Sequence, residues 1–134
     1  MHFAELCGRV RSAEADWPEA ARLSEELAEW PAARVDGEDT LRFAAERFFG
    51  SFWDLAGPPP RPAEVEEIGR ILARLLADNF ELTTFEPTSL RDFGRDWVTV
   101  NEYGPDKSHR VKRLIRPGLR TPTDVSYPAV VDVE

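Results

Sequence analysis

Apolar residues in the first two-thirds of the chain recur at three- and four-residue intervals, the spacing of amphipathic helices. A first helix is predicted over residues 3–15, with an apolar face formed by Phe3, Leu6, Val10 and Ala13. Asp16 then offers an N-cap oxygen, and Pro18 suits an early helical position where no amide donor is needed. We therefore expect a second helix to run from this point to Pro31, with an apolar face formed by Leu23, Leu27 and Trp30.

The strongest helical signal lies on the two sides of a proline-rich connector. A start signal at 36–40 leads into a segment of apolar residues that share neighbouring helix faces, namely Leu41, Ala44, Ala45, Phe48, Phe49, Phe52 and Leu55. Residues 57–62 include four prolines and can form neither a helix nor a central strand. Residues 64–78 then carry one apolar stripe, with Asn79 as the expected C-cap. This pattern predicts an antiparallel helical hairpin over about residues 40–79.

The period changes to two after Phe80, which predicts strands in the last third of the chain. We expect short strands at 81–85 and 97–100, a turn at 103–107 and a returning strand at 110–115. From Val125 to Val133 apolar residues alternate, which predicts one last strand with an edge position near Pro128. The predicted fold class is therefore α+β, with a helical region over 1–80 and a small antiparallel all-β domain over 81–134.

The net charge of the chain limits the classes of partner that it can bind. Among the 134 residues, 17 Lys and Arg stand against 25 Asp and Glu, which gives a net charge of −8. We predict no nucleic-acid partner, because binding without sequence preference needs many cations to displace counterions from phosphates. The basic cluster at 109–113 allows two interpretations, a phosphate-binding patch or the solvent face of a strand. The interleaved Val111 and Leu114 favour the strand.

Membrane and secretory signals are missing from the pattern. No apolar run reaches the roughly 20 residues that a transmembrane helix needs. No basic-then-apolar leader is seen, and the single cysteine, Cys7, excludes a disulfide framework. We therefore predict a protein that has no membrane partner and resides in the cytoplasm.

Side chains with catalytic or metal-binding potential are scattered along the sequence. His2 and His109 lie far apart, and no cluster of Asp, Glu and His has the spacing of metal ligands. Cys7 lies beside the apolar stripe of the first helix, where a small buried hydrophobe is favoured over a nucleophile. The sequence thus predicts no metal, no cofactor and no enzymatic activity. An enzyme would require a pocket that holds carboxyl groups of strongly raised pKa.

A run of large aromatic residues lies within the first helix of the predicted hairpin, at Phe48, Phe49, Phe52 and Trp53. These side chains cover two adjacent helix faces, and one face alone would suffice for packing against the next helix. Two interpretations stay open, packing in the core of the chain and an interface in which aromatic side chains act as anchors. The second interpretation predicts self-association of the protein.

Two segments of the tail resemble a known family. Residues 111–119 read VKRLIRPGL, and residues 125–133 read VSYPAVVDV. Together they resemble the C-terminal β-domain of the GrpE family, the nucleotide exchange factors of DnaK-type Hsp70 chaperones. Upstream, residues 65–82 are similar to the second helix of the family's four-helix bundle as it runs into the first strand, and Glu86-Pro87 to the link that follows. The resemblance covers about residues 41–134 and is specific over 111–133.

The resemblance implies a protein that does no covalent chemistry. The β-domain would bind one lobe of the nucleotide-binding domain of an Hsp70-type partner and hold the cleft open, so that ADP leaves. By linkage, ATP binding would favour release of the exchange factor. The positions that match the family's contact loop, last strand and neighbouring turn are Arg116, Leu119, Arg120, Asp124, Tyr127 and Val133.

Two departures from the family pattern keep an alternative open. Family members usually place arginines in the last loop and strand, where this chain has Asp124 and Tyr127, and such a charge change alters partner choice. The long paired N-terminal helix of the family has no equivalent, because Pro18 and Pro31 interrupt the helical pattern. A homodimer through two copies of the 40–79 hairpin is still expected. The alternative is a non-catalytic interaction or scaffold module that keeps a GrpE-like fold and binds a different partner.

Overall fold

A computed structural model of the chain describes residues 2–30, 37–92, 97–101 and 104–134. The chain divides into two compact units, Met1–Phe80 and Glu81–Glu134. Within the described residues, the first unit contains four α-helices and the second contains six short strands. The predicted α+β class, with helices first and strands after them, is confirmed. The predicted boundaries at Pro31, Asp36 and Tyr103 lie outside the described residues.

The helices of the first unit are α1 (Phe3–Ala13), α2 (Ala20–Glu29), α3 (Glu38–Ala56) and α4 (Ala63–Phe80). Helices α3 and α4 pack against each other across the short proline-rich connector and form the predicted hairpin. Helix α1 packs against α2 and α4, and α2 also packs against α3. The apolar faces of the hairpin are therefore covered by α1 and α2 of the same chain, which complete a four-helix arrangement.

Trp30 directly follows α2 and joins side chains from the other three helices in the core of the first unit. Its ring centroid lies 5.5 Å from that of Phe3 in α1, 5.6 Å from that of Phe48 in α3 and 6.2 Å from that of Phe80 in α4. Trp30 is only 4% exposed. An aromatic pair contributes about 0.5–1.5 kcal/mol beyond the area that it buries. These three pairs therefore help to fix the relative positions of the helices.

Helix α2 begins at Ala20, later than the predicted start at Asp16. The backbone amides of Asp16 and Trp17 instead donate to the carbonyl oxygen of Ala13, at 3.1 and 2.7 Å, and close the end of α1. The residue that precedes α2 is Glu19, which makes no side-chain capping bond. The predicted capping role of Asp16 is therefore wrong, because its backbone is already used by the preceding helix.

Helix α4 extends to Phe80, and the predicted C-cap at Asn79 is also wrong. The Asn79 side chain lies within the helix, where Nδ2 donates to the carbonyl oxygen of Leu75 at 2.8 Å. The next residue after the helix, Glu81, takes the left-handed backbone conformation with φ of 55°. This conformation commonly ends helices, and glycine or asparagine adopts it most readily.

The six strands of the second unit form two sheets of three strands each. One sheet has the order β1-β4-β5 and consists of Thr83–Phe85, Gly118–Arg120 and Val125–Tyr127. The other has the order β2-β6-β3 and consists of Val98–Val100, Ala129–Val133 and Val111–Arg116. The first sheet is antiparallel, whereas β2 runs parallel to β6 in the second. The predicted all-antiparallel pairing is thus corrected to one antiparallel and one mixed sheet.

The predicted single strand from Val125 to Val133 is two strands in two different sheets, β5 and β6. The break falls at Pro128, whose ring removes the amide donor that a continuous ladder requires. β6 is the central strand of its sheet, and β5 is an edge strand. The apolar alternation therefore indicated strand structure correctly, while the proline marks a crossing from one sheet to the other.

Candidate partner-binding site on the β-ribbon

Residues 111–120 and 125–133 form one antiparallel ribbon that passes through both sheets. β3 pairs with β6, and β4 pairs with β5, so the two halves of the ribbon belong to different sheets. The ribbon bends where Pro117 and Pro128 interrupt its two chains, and the register shifts on each side of this bend, between Leu114 and Arg116 and between Leu119 and Arg120. Such irregularities allow strands to turn a corner between packed sheets.

The tip of the ribbon is the turn 121–124, which is held by the side chain of Thr121. Its Oγ1 accepts hydrogen bonds from the amides of Thr123 and Asp124, at 3.3 and 3.0 Å, and donates to the carbonyl oxygen of Asp124. The Asp124 carboxylate accepts the amide of Val125 at 2.8 Å and is exposed. An ordered turn of this kind presents the Asp124 side chain at the end of the ribbon.

Arg116 and Tyr127 meet at the bend of the ribbon. The guanidinium carbon of Arg116 lies 5.9 Å from the centroid of the Tyr127 ring. Its Nη2 atom donates to the carbonyl oxygen of Pro128 at 3.1 Å. Both side chains are half-buried, so each keeps part of its surface open to solvent. The arrangement holds a cation on an aromatic face next to the corner of the two sheets.

Arg120 is held against an aromatic pair that was not expected from the sequence. Its guanidinium carbon lies 5.6 Å from the centroid of the Trp97 ring, and that ring lies 5.4 Å from the ring of Phe85. The Nε atom of Arg120 is buried and has no hydrogen-bond partner. Trp97 and Phe85 are thus further components of the candidate site. The contact joins residues 23 positions apart in the chain, and no periodic pattern in the sequence indicates it.

Two of the six partner-binding positions implied by the resemblance are buried. Leu119 is 0% exposed and Val133 is 4% exposed. Val133 also lies at the opposite end of the ribbon from the tip, paired with Val111. Neither side chain is available to a partner, so their assignment to the contact surface is corrected. They belong to the core that supports the ribbon, because apolar residues at these positions stabilise it by burial.

The remaining four positions, Arg116, Arg120, Asp124 and Tyr127, keep exposed surface along the bend and tip. We call this set the ribbon surface. Within it, Arg116 contacts Tyr127, and Arg120 contacts Trp97. It combines two arginines and a tyrosine, residue types that are enriched at protein interfaces, with one exposed carboxylate.

The basic cluster at 109–113 contributes to β3, as the strand interpretation expected. Arg113 donates to Asp132 Oδ2 from Nε at 3.1 Å and from Nη2 at 2.8 Å. Asn101 Nδ2 donates to the other carboxylate oxygen at 3.1 Å. These bonds, first that from Arg113, lower the pKa of the Asp132 carboxyl. Part of the cluster therefore ties strands together and is not free for a phosphate.

The aromatic run of α3 lies in the core of the first unit. Exposed fractions are 1% for Phe48, 1% for Phe49, 0% for Phe52 and 9% for Trp53. The core-packing interpretation is therefore the one that the structure supports for these four side chains, and their assignment as a self-association surface is corrected. The physical reason is that α1, α2 and the segment between them supply the cover; the ring of Trp17, in that segment, lies 5.9 Å from the ring of Phe52. A homodimer through the hairpin stays a prediction.

Within the described part of the chain, acid–base side chains gather at a cavity of the first unit, which is lined by Glu25, Glu26, Glu29 and Asp54 among others. No three side chains among His, Cys, Asp and Glu of the described residues could hold a metal ion. Burial raises the pKa of the half-buried Cys7 thiol, which disfavours the thiolate. The pKa values of Glu67 and Asp132 are both lowered, chiefly by hydrogen bonds from Arg70 and Arg113. A general acid needs the opposite shift.

No family model, no curated protein and no solved structure matches this chain. None of the helices in the described residues is both long enough and apolar enough to span a membrane.

Proposed function

We propose that the protein is a non-catalytic nucleotide exchange factor of the GrpE type, which binds the nucleotide-binding domain of an Hsp70-type chaperone. The observation that carries the proposal is the ribbon itself. The segment that resembles the family, residues 111–133, forms one continuous bent ribbon whose tip is exposed and whose bend carries the half-buried Arg116 and Tyr127. A partner can therefore be engaged by residues that the resemblance implies, on a scaffold held by two sheets.

The ribbon surface supports this proposal by its chemistry. Arg116 lies over the Tyr127 ring and both side chains are half-buried, so binding would cost little further side-chain entropy. Tyrosine and arginine are enriched among the residues that dominate binding energies at interfaces. Leu119 and Val133 hold the ribbon in shape from beneath and make no contact of their own with a partner.

The mechanism is a shift of population in the partner. An Hsp70-type nucleotide-binding domain with its cleft open releases ADP, and a protein that binds only this open state raises its population. The gain in exchange rate is limited by the difference in affinity for the open and closed states. ATP binding closes the cleft and, by the same linkage, weakens binding of the exchange factor.

The test is release of a fluorescent ADP analogue from candidate Hsp70-type proteins with and without the full chain. We expect acceleration by the wild type and at least a tenfold higher concentration for half-maximal effect in Tyr127→Ala, since loss of an interface anchor costs about 2 kcal/mol or more. Lys112→Ala is the matched control, because Lys112 is exposed on the same ribbon but away from the bend. Absence of acceleration with the cognate chaperone of the source cell would exclude the proposal.

A second candidate function is supported by Asp124. This carboxylate is exposed at the ribbon tip, where the family usually places a cation, and like charges at an interface are strongly disfavoured. Under this alternative the protein is a scaffold module that binds a different protein through the same ribbon surface. Pull-down with the wild type and with Tyr127→Ala distinguishes the two. Recovery of a non-Hsp70 protein that is lost with the variant supports the alternative.

A further inference from the structure

Arg120 combines burial with unused hydrogen-bonding capacity. Its side chain is half-buried, and its Nε atom is buried without a hydrogen-bond partner. Among the described residues, no carboxylate lies within ion-pair distance of it, although the chain carries 25 acidic residues. Arg61, another arginine with little exposure, pairs with Glu66 instead. The rest of the guanidinium keeps exposed surface, so its remaining donors are available to an anion supplied by a partner.

The position of Arg120 is set by a layered stack of side chains on one face of the first sheet. Gly118 and Arg120 alternate with Leu119 along β4 and so share a face. The Phe85 ring covers Gly118, Trp97 lies against Phe85, and the guanidinium of Arg120 lies over Trp97. Because Gly118 has no side chain, the two rings can approach the strand closely. The stack therefore restrains the guanidinium from one side.

We propose that Arg120 is a pre-organised binding site for a carboxylate of the partner protein, and that Trp97 is the residue that positions it. A guanidinium held over an aromatic ring has less conformational freedom to lose on binding, and its planar set of donors matches the two oxygens of a carboxylate. Half-burial strengthens that attraction, because charges near low-dielectric material are screened less than charges in water. The identity of the partner rests on the proposed function. The preference of the site for a carboxylate is independent of that function.

A protein carboxylate fits this site better than a phosphate group. Arg120 supplies a single guanidinium fork, which satisfies one monoanionic carboxylate. A nucleic-acid backbone would also meet a chain of net charge −8, which repels polyanions. We therefore expect an Asp or Glu side chain of the partner opposite Arg120.

The positioning role can be measured without any partner. In the ¹⁵N NMR spectrum of the full chain, we expect the Nε–H group of Arg120 to be as rigid as the backbone, while that of the exposed Arg110 is averaged. Trp97→Leu should make Arg120 as mobile as Arg110, and Trp97→Phe, which keeps a ring face, should leave it restrained. A mobile Arg120 in the wild type, or no change in Trp97→Leu, would overturn the positioning role.

The carboxylate site is tested with a tetraglutamate peptide, and a tetraglutamine peptide is the uncharged control. We expect a saturable shift of the Arg120 Nε–H signal with the acidic peptide only. The indole N–H signal of Trp97 reports the same binding event, and its saturable shift should be lost in Arg120→Lys, which keeps the charge but removes the planar fork. A response equal to that of Arg110, or an equal response to both peptides, would show that no such site exists. If Trp97→Leu does not fold, the comparison of the wild type with Arg120→Lys still tests the carboxylate site.

Affinity for the Hsp70-type nucleotide-binding domain then tests whether the same site contributes to binding of the proposed partner. We expect Arg120→Ala to raise the dissociation constant about 30-fold, the equivalent of losing one side of a partly desolvated charge pair. Trp97→Leu should raise it about tenfold and Trp97→Phe by less than about threefold. Failure of the wild type to bind any Hsp70-type protein would refute the proposed function and leave the NMR result to decide the site. Wild-type binding that Arg120→Ala leaves unchanged would refute the site alone.

Discussion

Phe85 and Gly118 face each other across the β1–β4 ladder, and the Phe85 ring occupies the space that a side chain at position 118 would need. A Cβ atom built on Gly118 would overlap three carbon atoms of that ring. Aromatic cover of a glycine on a neighbouring strand is a recognised way to pin strand register. Glycine is therefore required here because the Phe85 ring packs directly on it. The backbone conformation of Gly118 itself would allow other residues.

Replacement of Gly118 by alanine should destabilise the protein. We expect Gly118→Ala to lower the free energy of unfolding by about 1–3 kcal/mol, the usual cost of forcing extra volume into a packed site. Urea denaturation followed by tryptophan fluorescence measures it. Gly104→Ala is the control, because its new Cβ would meet only the Lys107 side chain at an ordinary 3.5 Å. The double variant Phe85→Leu with Gly118→Ala should lose less than the sum of the single losses, and strict additivity would contradict the proposed overlap.

The residue after α4 offers a stabilising substitution. Glu81 adopts φ of 55°, a conformation that costs a side chain about 1 kcal/mol and costs glycine almost nothing. We therefore expect Glu81→Gly to raise the free energy of unfolding by up to about 1 kcal/mol. Glu86→Gly, at a residue without positive φ, should lower it, because glycine there only increases the entropy of the unfolded chain. Equal changes in the free energy of unfolding of the two variants would show that the positive φ at the end of α4 is not the cause of the stabilisation.

The elements of this fold could be predicted from periodicity, and their pairing could not. The 3.6-residue period located the hairpin α3–α4, and the change to period two located the strands. The chain crosses from one sheet to the other at Pro128, but apolar residues still alternate from 125 to 133. The sequence pattern of the two strands is therefore that of a single strand. The parallel pairing of β2 with β6 joins segments about 30 residues apart, and local pattern carries no information on such contacts.

The same distinction applies to the candidate site. Arg116 and Tyr127 lie in the recognisable segment and were expected at the surface, where the structure places them together. Leu119 and Val133 lie in the same segment but point into the core. Which strand positions are buried depends on the bend and on three register shifts, and none of these is encoded by alternation alone. Trp97 enters the site through tertiary contacts with Arg120 and Phe85.

Asp132 should make the stability of the second unit depend on pH. Its pKa is lowered in the folded state, first by the hydrogen bond from Arg113, so its contribution is complete above the unfolded-state value and is lost as the pH falls through the folded-state value. We expect Asp132→Asn to have a lower urea midpoint than the wild type at pH 7. The difference should shrink below about pH 4, because the carboxyl of the unfolded chain then takes up a proton before that of the folded chain does.

The control for this pH dependence is Asp106→Asn, a change at an exposed residue with no ion pair among the described residues. Its urea midpoint should follow that of the wild type at every pH. A deficit of Asp132→Asn that stays constant from pH 7 to pH 3 would mean that charge is not its cause. The Asn101 and Arg113 hydrogen bonds would then contribute through geometry alone.

Arg61 joins the connector to both helices of the hairpin. Its guanidinium carbon lies 4.7 Å from the centroid of the Trp53 ring in α3, and Nε donates to the carbonyl oxygen of Gly57 at 2.8 Å. Nη1 lies 3.6 Å from Glu66 Oε1 in α4, and the side chain is 6% exposed. Burial lowers the pKa of Arg61, and Glu66 opposes the shift. One side chain thus spans α3, the connector and α4.

Removal of this side chain should loosen the hairpin. We expect Arg61→Ala to lower the free energy of unfolding by about 2 kcal/mol, since it removes a desolvated cation–π contact and a hydrogen bond to a carbonyl left without its donor. Arg61→Lys keeps the charge but cannot stack and bond to Gly57 at once, so it should recover less than half of the loss. Arg91→Ala, at an exposed position, should have no measurable effect. A lysine variant as stable as the wild type would show that only the charge near Glu66 matters, and the stacking on Trp53 would then contribute nothing to the stability of the hairpin.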